Sequence, residues 1–187
     1  KLQHLWVAPF DLQRELVRAI RNETRIAREG GVGQIIAKMN ALLDDSIIEA
    51  LYEASQAGVK IELIVRGACS LRPGVPGLSD NIRVRSIVGR FLEHSRIFNF
   101  LSEGANEVYL ASADWMNRNL FRRIEIAFPV FDEALKKRVI QEGLQPYLRD
   151  NQHAWELSAN GEYHRRKPRV GQQPFSAQQH LITTLGA

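Results

Sequence analysis

The feature that most constrains this chain is a strand–helix–strand succession between residues 33 and 67. "GQIIAKMNAL" opens with a short apolar run, Gln34 to Lys38, that reads as a buried strand. Asp44 or Asp45 then stands where a side-chain oxygen caps a helix. That helix runs to about Gln56, carries Ile47, Ile48 and Leu51 on one face, and ends at Gly58. "VKIELIVRG" follows, alternating and rich in β-branched residues, as a second strand. Two strands joined through a helix run parallel, with a right-handed crossover. The chain is thereby committed to an α/β arrangement. Between the first strand and its helix, where Lys38-Met39-Asn40 begins the connection, there is no glycine fingerprint of a dinucleotide fold, and there is no P-loop.

The rest of the chain fits around that unit. "DLQRELVRAIRNETRIARE", residues 11–29, places Leu12, Leu16, Ala19, Ile20 and Ile26 at helical spacing and stops at Gly30-Gly31. Residues 67–80, "GACSLRPGVPGLSD", form a long loop, and long ordered loops are often functional. Four strand candidates come next: "NIRVRSIV", "SRIFNFL", "NEVYLASA" and "RRIEIAFPV". "SEGANE" is the hairpin turn between the second and third. Residues 132 to about 148 read as one amphipathic helix with Ala134, Leu135, Val139, Ile140 and Leu144 on its apolar side. "AWEL" suits a short strand, and the end is polar. We expect an α/β (α+β) fold, a mixed sheet flanked by helices, over residues 1–150, with 151–187 a partly loose C-terminal extension.

Of the 187 residues, 44% are apolar and 25% charged, an ordinary globular composition. No apolar run approaches the roughly 20 residues that span a bilayer. The chain opens on Lys1, which suggests a piece excised from a longer polypeptide. Cys69 is the only cysteine, which excludes an intramolecular disulfide and a cysteine-rich zinc site. It fits a reducing, cytoplasmic setting, with peripheral membrane association left open. The net charge of +4 matters only where it clusters: Arg83, Arg85, Arg90 and Arg96; Arg118, Arg122 and Arg123; His164, Arg165, Arg166, Lys167 and Arg169. Clustered arginine suits a polyanion, because its planar fork matches phosphate oxygens. A solvated basic face is the bland alternative.

In open α/β sheets, ligands gather beyond the carboxyl ends of parallel strands. The first strand ends at Lys38 and Asn40 and the second at Arg66, so a lysine, an amide and an arginine share one edge. His94 and Arg96, two apart at the start of a later strand, fall on one face, as do Ser112 and Asp114. These four could form one patch, with Asp114 or Glu93 orienting the imidazole and Arg96 holding a phosphoryl oxygen. Histidine is a competent general acid and phosphoryl acceptor near neutral pH.

"IIAKMNAL", "IIEALYEASQAGVKIELIVRG", "CSLRPGVPGLSDNIRVRSIVGRFLEHSRI" and "VYLASADWMNRNL" resemble the last third of bacterial polyphosphate kinase, the long-chain-synthesising family. The resemblance reaches back to "APFD" and forward to "YLRDNQHAWEL" and "GEYHRRK". It implies reversible transfer of the terminal phosphoryl group of ATP to inorganic polyphosphate. It implies a phospholipase D-like domain, the second of two, with the phosphorylated histidine in the first and outside this chain. This chain then carries half an active site and is inactive alone. Arg66 matches the family's nucleotide-phosphate arginine, and His94 its second active-site histidine, an auxiliary group. The phospholipase D pattern is His-x-Lys, four residues, then Asp. Here Arg96 replaces the lysine, Leu101 holds the aspartate position, and Ala111-Ser112-Ala113-Asp114 approximates the later Gly-Ser-x-Asn element. These departures speak against phosphodiesterase chemistry. Arg83, Arg85, Arg90, Arg118 and Arg122 are candidates to line a polyphosphate path. Mg²⁺ is implied as cofactor, bound mainly outside this chain, so no metal ligand is assigned here. The implied partners are ATP or ADP, polyphosphate, the remaining domains and further copies of the full-length enzyme; no nucleic acid is expected. A binding module without chemistry and an oligomerisation module, through the helix at 132–148 or the tail, are the alternatives.

Overall fold

A computed structural model describes residues 4–186. The expected unit is its centre. β2 (Gln34–Met39) and β3 (Lys60–Val65) pair in parallel from Gln34↔Lys60 to Met39↔Val65, joined by α2 (Asp45–Gln56). Asp44 caps α2 by accepting from the Ile47 N–H at 3.1 Å, which satisfies one of the orphan donors of the first turn. β4 (Ile82–Ile87) adds in parallel to β3. β5 (Arg96–Phe100), β6 (Glu107–Ala111), β7 (Glu125–Pro129) and β1 (Trp6–Ala8) extend the other side of β2, each antiparallel to its neighbour. The full order is β1-β7-β6-β5-β2-β3-β4-β8-β9, a mixed sheet.

Alternation along the strands divides the core. Ile35, Ala37, Met39, Ile61, Leu63 and Val65 point to one face and meet α1 (Leu12–Arg28) and α2. Ile36, Ile64, Ile87 and Ile97 point to the other, toward α4 (Glu133–Gly143), α5 (Gln145–Arg149) and α6 (Ala177–Leu185). Burying each of these isoleucine, leucine, valine and methionine side chains stabilises the fold by about 1.5–3 kcal/mol relative to exposure. Glu23 is buried on α1. Its carboxylate accepts from the backbone N–H of Gln34 at 2.9 Å and of Ser102 at 2.7 Å, tying the helix to β2 and to the β5–β6 turn. Burial raises its pKa, against the pull of those two bonds.

Several expectations are corrected. The helix expected over 132–148 is two helices, broken at Leu144 (φ −125°). Pro146 has no N–H to donate, and in a continuous helix its ring would crowd the carbonyl of Glu142. Leu144 is buried, whereas Ala134 and Leu135 of the supposed apolar face are exposed. Gly143 allows α4 to close on β5, since a Cβ there would lie 2.3 Å from Cδ1 of Ile97. Residues 151–187, expected as a partly loose extension, supply β8 (Ala154–Leu157), β9 (Tyr163–Arg165) and α6. β8 pairs with β4 and β9 with β8, so both continue the central sheet. Asp150, fully buried, fixes this segment by accepting from the N–H groups of Gln152, His153 and Ala177 at 2.9, 2.6 and 2.8 Å. β1, β9, α6 and the short α3 (Asn117–Phe121) were not read from the sequence.

Candidate functional site

β2, β3 and β4 are parallel, so their carboxyl ends deliver Asn40, Arg66 and Val88 to one edge of the sheet. The antiparallel neighbours start or finish there as well. Lys38 pairs with Ile97, Arg96 with Ala111, Ala111 with Ala127, and Ile87 with Ala154. The edge thus also receives His94, Arg96, Ser112, Asp114 and the start of β8.

Three of the expected ligands prove to be neutralised within the protein. Lys38 is only 2% exposed. Its ammonium donates to Oε2 of Glu93 at 2.7 Å and lies 3.4 Å above the centre of the Tyr147 ring. Burial lowers its pKa, and the Glu93 carboxylate opposes that shift. Arg96 forks onto Asp114, with Nε to Oδ1 at 3.2 Å and Nη2 to Oδ2 at 2.9 Å, while its Nη1 donates to the carbonyl of His94 at 2.9 Å. Arg96 is therefore a brace for the histidine's backbone, not a group aimed at phosphate. Asp114 also accepts from the Asn40 N–H at 2.7 Å. Asn40 is buried, and its Nδ2 has no partner among the described residues.

The proposed patch of His94, Arg96, Ser112 and Asp114 does not form as expected. β5 begins at Arg96, so His94 sits in the preceding loop and strand alternation does not govern it. Neither carboxylate reaches the imidazole: Glu93 is held by Lys38 and Asp114 by Arg96. The His94 ring is exposed and makes no hydrogen bond among the described residues. Ser112 turns to β7, where it bonds the Glu125 carboxylate and accepts from the Ile126 N–H at 3.1 Å.

Arg66 stays available. It is half-buried, and its Nη1 donates to the Glu93 carbonyl at 3.0 Å, which pins the guanidinium beside the residue that precedes His94. Its Nε and Nη2 have no bond among the described residues. Of the five arginines suggested for a polyanion path, Arg90, Arg118 and Arg122 are exposed: Arg90 comes three residues after the end of β4, and Arg118 and Arg122 lie within and just after the short helix at Asn117–Phe121 that follows β6. Arg85 is buried against Glu62 (3.0 Å) and the Leu148 carbonyl (2.6 Å), which removes it from any path. Arg83 is exposed but pairs in register with Glu62 near the start of β4. At ~3.3 Å per residue it lies ~13 Å from Ile87, toward the opposite edge.

The carboxylates at the edge do not suit a divalent cation. Glu93 and Asp114 are each paired with a buried or half-buried cation, and no cluster of three acidic, histidine or cysteine ligands exists among the described residues.

One contributor was missed entirely. Gln178, on α6, bonds the loop that carries His94. No local signal marks it, because its partners lie more than eighty residues earlier.

With this arrangement in view, comparison with known proteins is decisive. Residues 5–178 match the family described as Polyphosphate kinase C-terminal domain 2. The chain belongs to that family. Its curated relatives include the polyphosphate kinases of Burkholderia multivorans and Paraburkholderia phytofirmans, each 59% identical over 97% of this chain. The chain spans 26% of the length of either relative. The crystal structure of polyphosphate kinase from Porphyromonas gingivalis matches with a TM-score of 0.94 and 39% identity, over all of this chain and 28% of that one. Nuc from Salmonella typhimurium, a phospholipase D family member, shares the fold alone: TM-score 0.52 and 12% identity over 73% of this chain and 88% of Nuc. The family and the phospholipase D-like fold expected from the sequence are both borne out.

Proposed function

We propose that this chain is the C-terminal part of a polyphosphate kinase, an ATP:polyphosphate phosphotransferase, and that it supplies one half of the phosphate-handling site. Family membership sets the reaction class. The observation that carries the local reading is the junction of Arg66 and the His94 loop, where a guanidinium with two uncommitted donors is fixed on the carbonyl of the residue that precedes an exposed histidine. Arg66 neutralises and orients phosphate oxygens of the nucleotide. His94 stands by as an auxiliary proton donor, and the histidine that accepts the phosphoryl group lies elsewhere in the polypeptide. Phosphoryl transfer depends mostly on positioning and charge neutralisation, which suits groups of this kind. Glu93 and Asp114, whose charges Lys38 and Arg96 already take, are not the groups that would hold magnesium. Arg90, Arg118 and Arg122 line the approach for polyphosphate. Phe10, Phe91, Leu92, Phe121 and Ile124 are exposed, and they flank the edge in sequence and register; such apolar surface supports a face closed by the remaining domains.

The test is calorimetric titration of the chain with ATP and with long-chain polyphosphate at two salt concentrations, beside Arg66→Ala and His94→Ala, together with phosphoryl transfer by the full-length enzyme carrying the same substitutions. Both substitutions should weaken ATP binding by the chain and lower turnover of the full-length protein. Full turnover in both variants would remove this edge from the reaction.

A further inference from the structure

The His94 loop, residues 88–95, has few backbone bonds of its own. The Val88 N–H donates to the His153 carbonyl at 3.0 Å at one end, and Arg96 grips the His94 carbonyl at the other. The middle is held by one side chain from the far end of the chain. The Gln178 carboxamide accepts from the Phe91 N–H at 3.0 Å and donates to the Phe91 carbonyl at 2.8 Å. It thus pairs with both backbone groups of Phe91, as a neighbouring strand would. The same nitrogen donates to Oε1 of Glu93 at 2.7 Å, and the other oxygen of Glu93 takes the Lys38 ammonium. The Glu93 carbonyl takes Arg66. One amide therefore sets the path of the three residues before His94, and through Glu93 the seat of Arg66.

Gln178 is itself well fixed. It is 7% exposed and lies one residue after Ala177, whose N–H is held by the buried Asp150 carboxylate. Ser176 caps the helix, and its hydroxyl lies 3.1 Å from Nδ1 of His153. Gly89 completes the fit. A Cβ at Gly89 would lie 2.5 Å from Oε1 of Gln178 and 3.0 Å from its Cδ, so the loop reaches the amide only because position 89 has no side chain. The atoms in the way are the end of a flexible side chain. An alanine at 89 would therefore displace the amide before it disturbed the backbone.

We infer that Gln178 is a positioning residue for the phosphate site, with α6 acting as the fixed bracket that holds the His94 loop and Arg66 in register. The inference rests on the function proposed above. It assigns a role to the C-terminal helix, beyond filling the second face of the sheet.

The experiment uses the full-length enzyme with Gln178→Leu, Gly89→Ala, His94→Ala and the double variant Gln178→Leu/His94→Ala. ATP-dependent polyphosphate synthesis is measured beside the melting temperature. Gln178→Leu and Gly89→Ala should each lower kcat/KM by about ten- to a hundredfold, the scale of a roughly 1 Å misplacement of a reacting group. In the His94→Ala background, Gln178→Leu should cost clearly less than it does in wild type, because only the share that acts through Arg66 is left to lose. Rates within twofold of wild type for both Gly89→Ala and Gln178→Leu would overturn the inference. So would fully multiplicative losses in the double variant, the mark of a merely structural role. If His94→Ala alone kept the full rate, the underlying functional reading would fail instead, and the two failures are distinct. Should Gln178→Leu fold poorly, Gly89→Ala carries the test alone.

Discussion

Replacing Lys38 by methionine should destabilise the chain without abolishing its fold. The ammonium is almost wholly buried and bound at 2.7 Å to a carboxylate whose side chain is itself mostly buried. The lysine's pKa is lowered, so burial outweighs the attraction of Glu93, and the charged lysine contributes little by itself. The cost of Lys38→Met arises from what remains: a Glu93 carboxylate without its cation. Removing one member of a buried pair typically costs about 3–5 kcal/mol. Glu93 keeps its bond from Gln178 and some contact with water, and a methionine sulfur still lies against Tyr147. The low end, about 3 kcal/mol, is therefore expected. For a domain of this size that lowers the melting temperature by about 6–12 °C. Lys38→Met/Glu93→Gln should regain at least half of the loss, because the uncompensated charge is gone. Thermal unfolding by circular dichroism at neutral pH provides the comparison. The pH dependence has a definite sign. Between the lowered folded-state pKa and the ordinary value of 10.5, the unfolded chain binds a proton that the folded one does not. Wild-type stability therefore rises with pH across that window on account of Lys38, and Lys38→Met lacks this rise. A single variant that melts within 2 °C of wild type, or a double variant no more stable than the single, would refute the reasoning.

Asp114→Asn should lower the urea midpoint by the equivalent of about 2–3 kcal/mol, since it breaks the fork to Arg96 while an amide oxygen can still serve the Asn40 N–H. Arg85→Lys should destabilise the chain by about 1–3 kcal/mol, through the bonds to Glu62 and the Leu148 carbonyl. It should leave the salt dependence of polyphosphate binding unchanged, whereas Arg90→Ala should reduce that slope; titration at several salt concentrations separates the two. Cys69 should resist alkylation by iodoacetamide at pH 8, because burial pushes its thiol up to about 11; mass spectrometry after timed labelling reads the result.

Much of the fold was legible because its signals are local. The β2–α2–β3 unit follows from period-two and helical spacing within about thirty residues, and Asp44 and Gly58 mark the ends of its helix. The parallel pairing places Asn40 and Arg66 at one edge wherever the remaining strands go. The sequence motifs around Arg66 and His94 carry the family, and the family model and solved relative agree. Pro146 was visible as well, and its lack of an N–H was enough to break the helix that apolar spacing alone drew through it.

Tertiary structure alone decided which charges remain free. Lys38, Arg85, Arg96 and Arg66 look equivalent in the sequence, as basic groups on or beside strands. Lys38 meets Glu93 across 55 positions, Arg85 meets Glu62 across 23, and Arg96 meets Asp114 across 18. These pairings depend on strand register and on which face each residue takes, and burial then makes an unpaired charge too costly to leave. Gln178 reaches Phe91 across 87 positions for the same reason. Spacing finds residues that share an element. Only packing shows which charges the protein has already neutralised for itself, and which, like Arg66, it leaves with donors to spare.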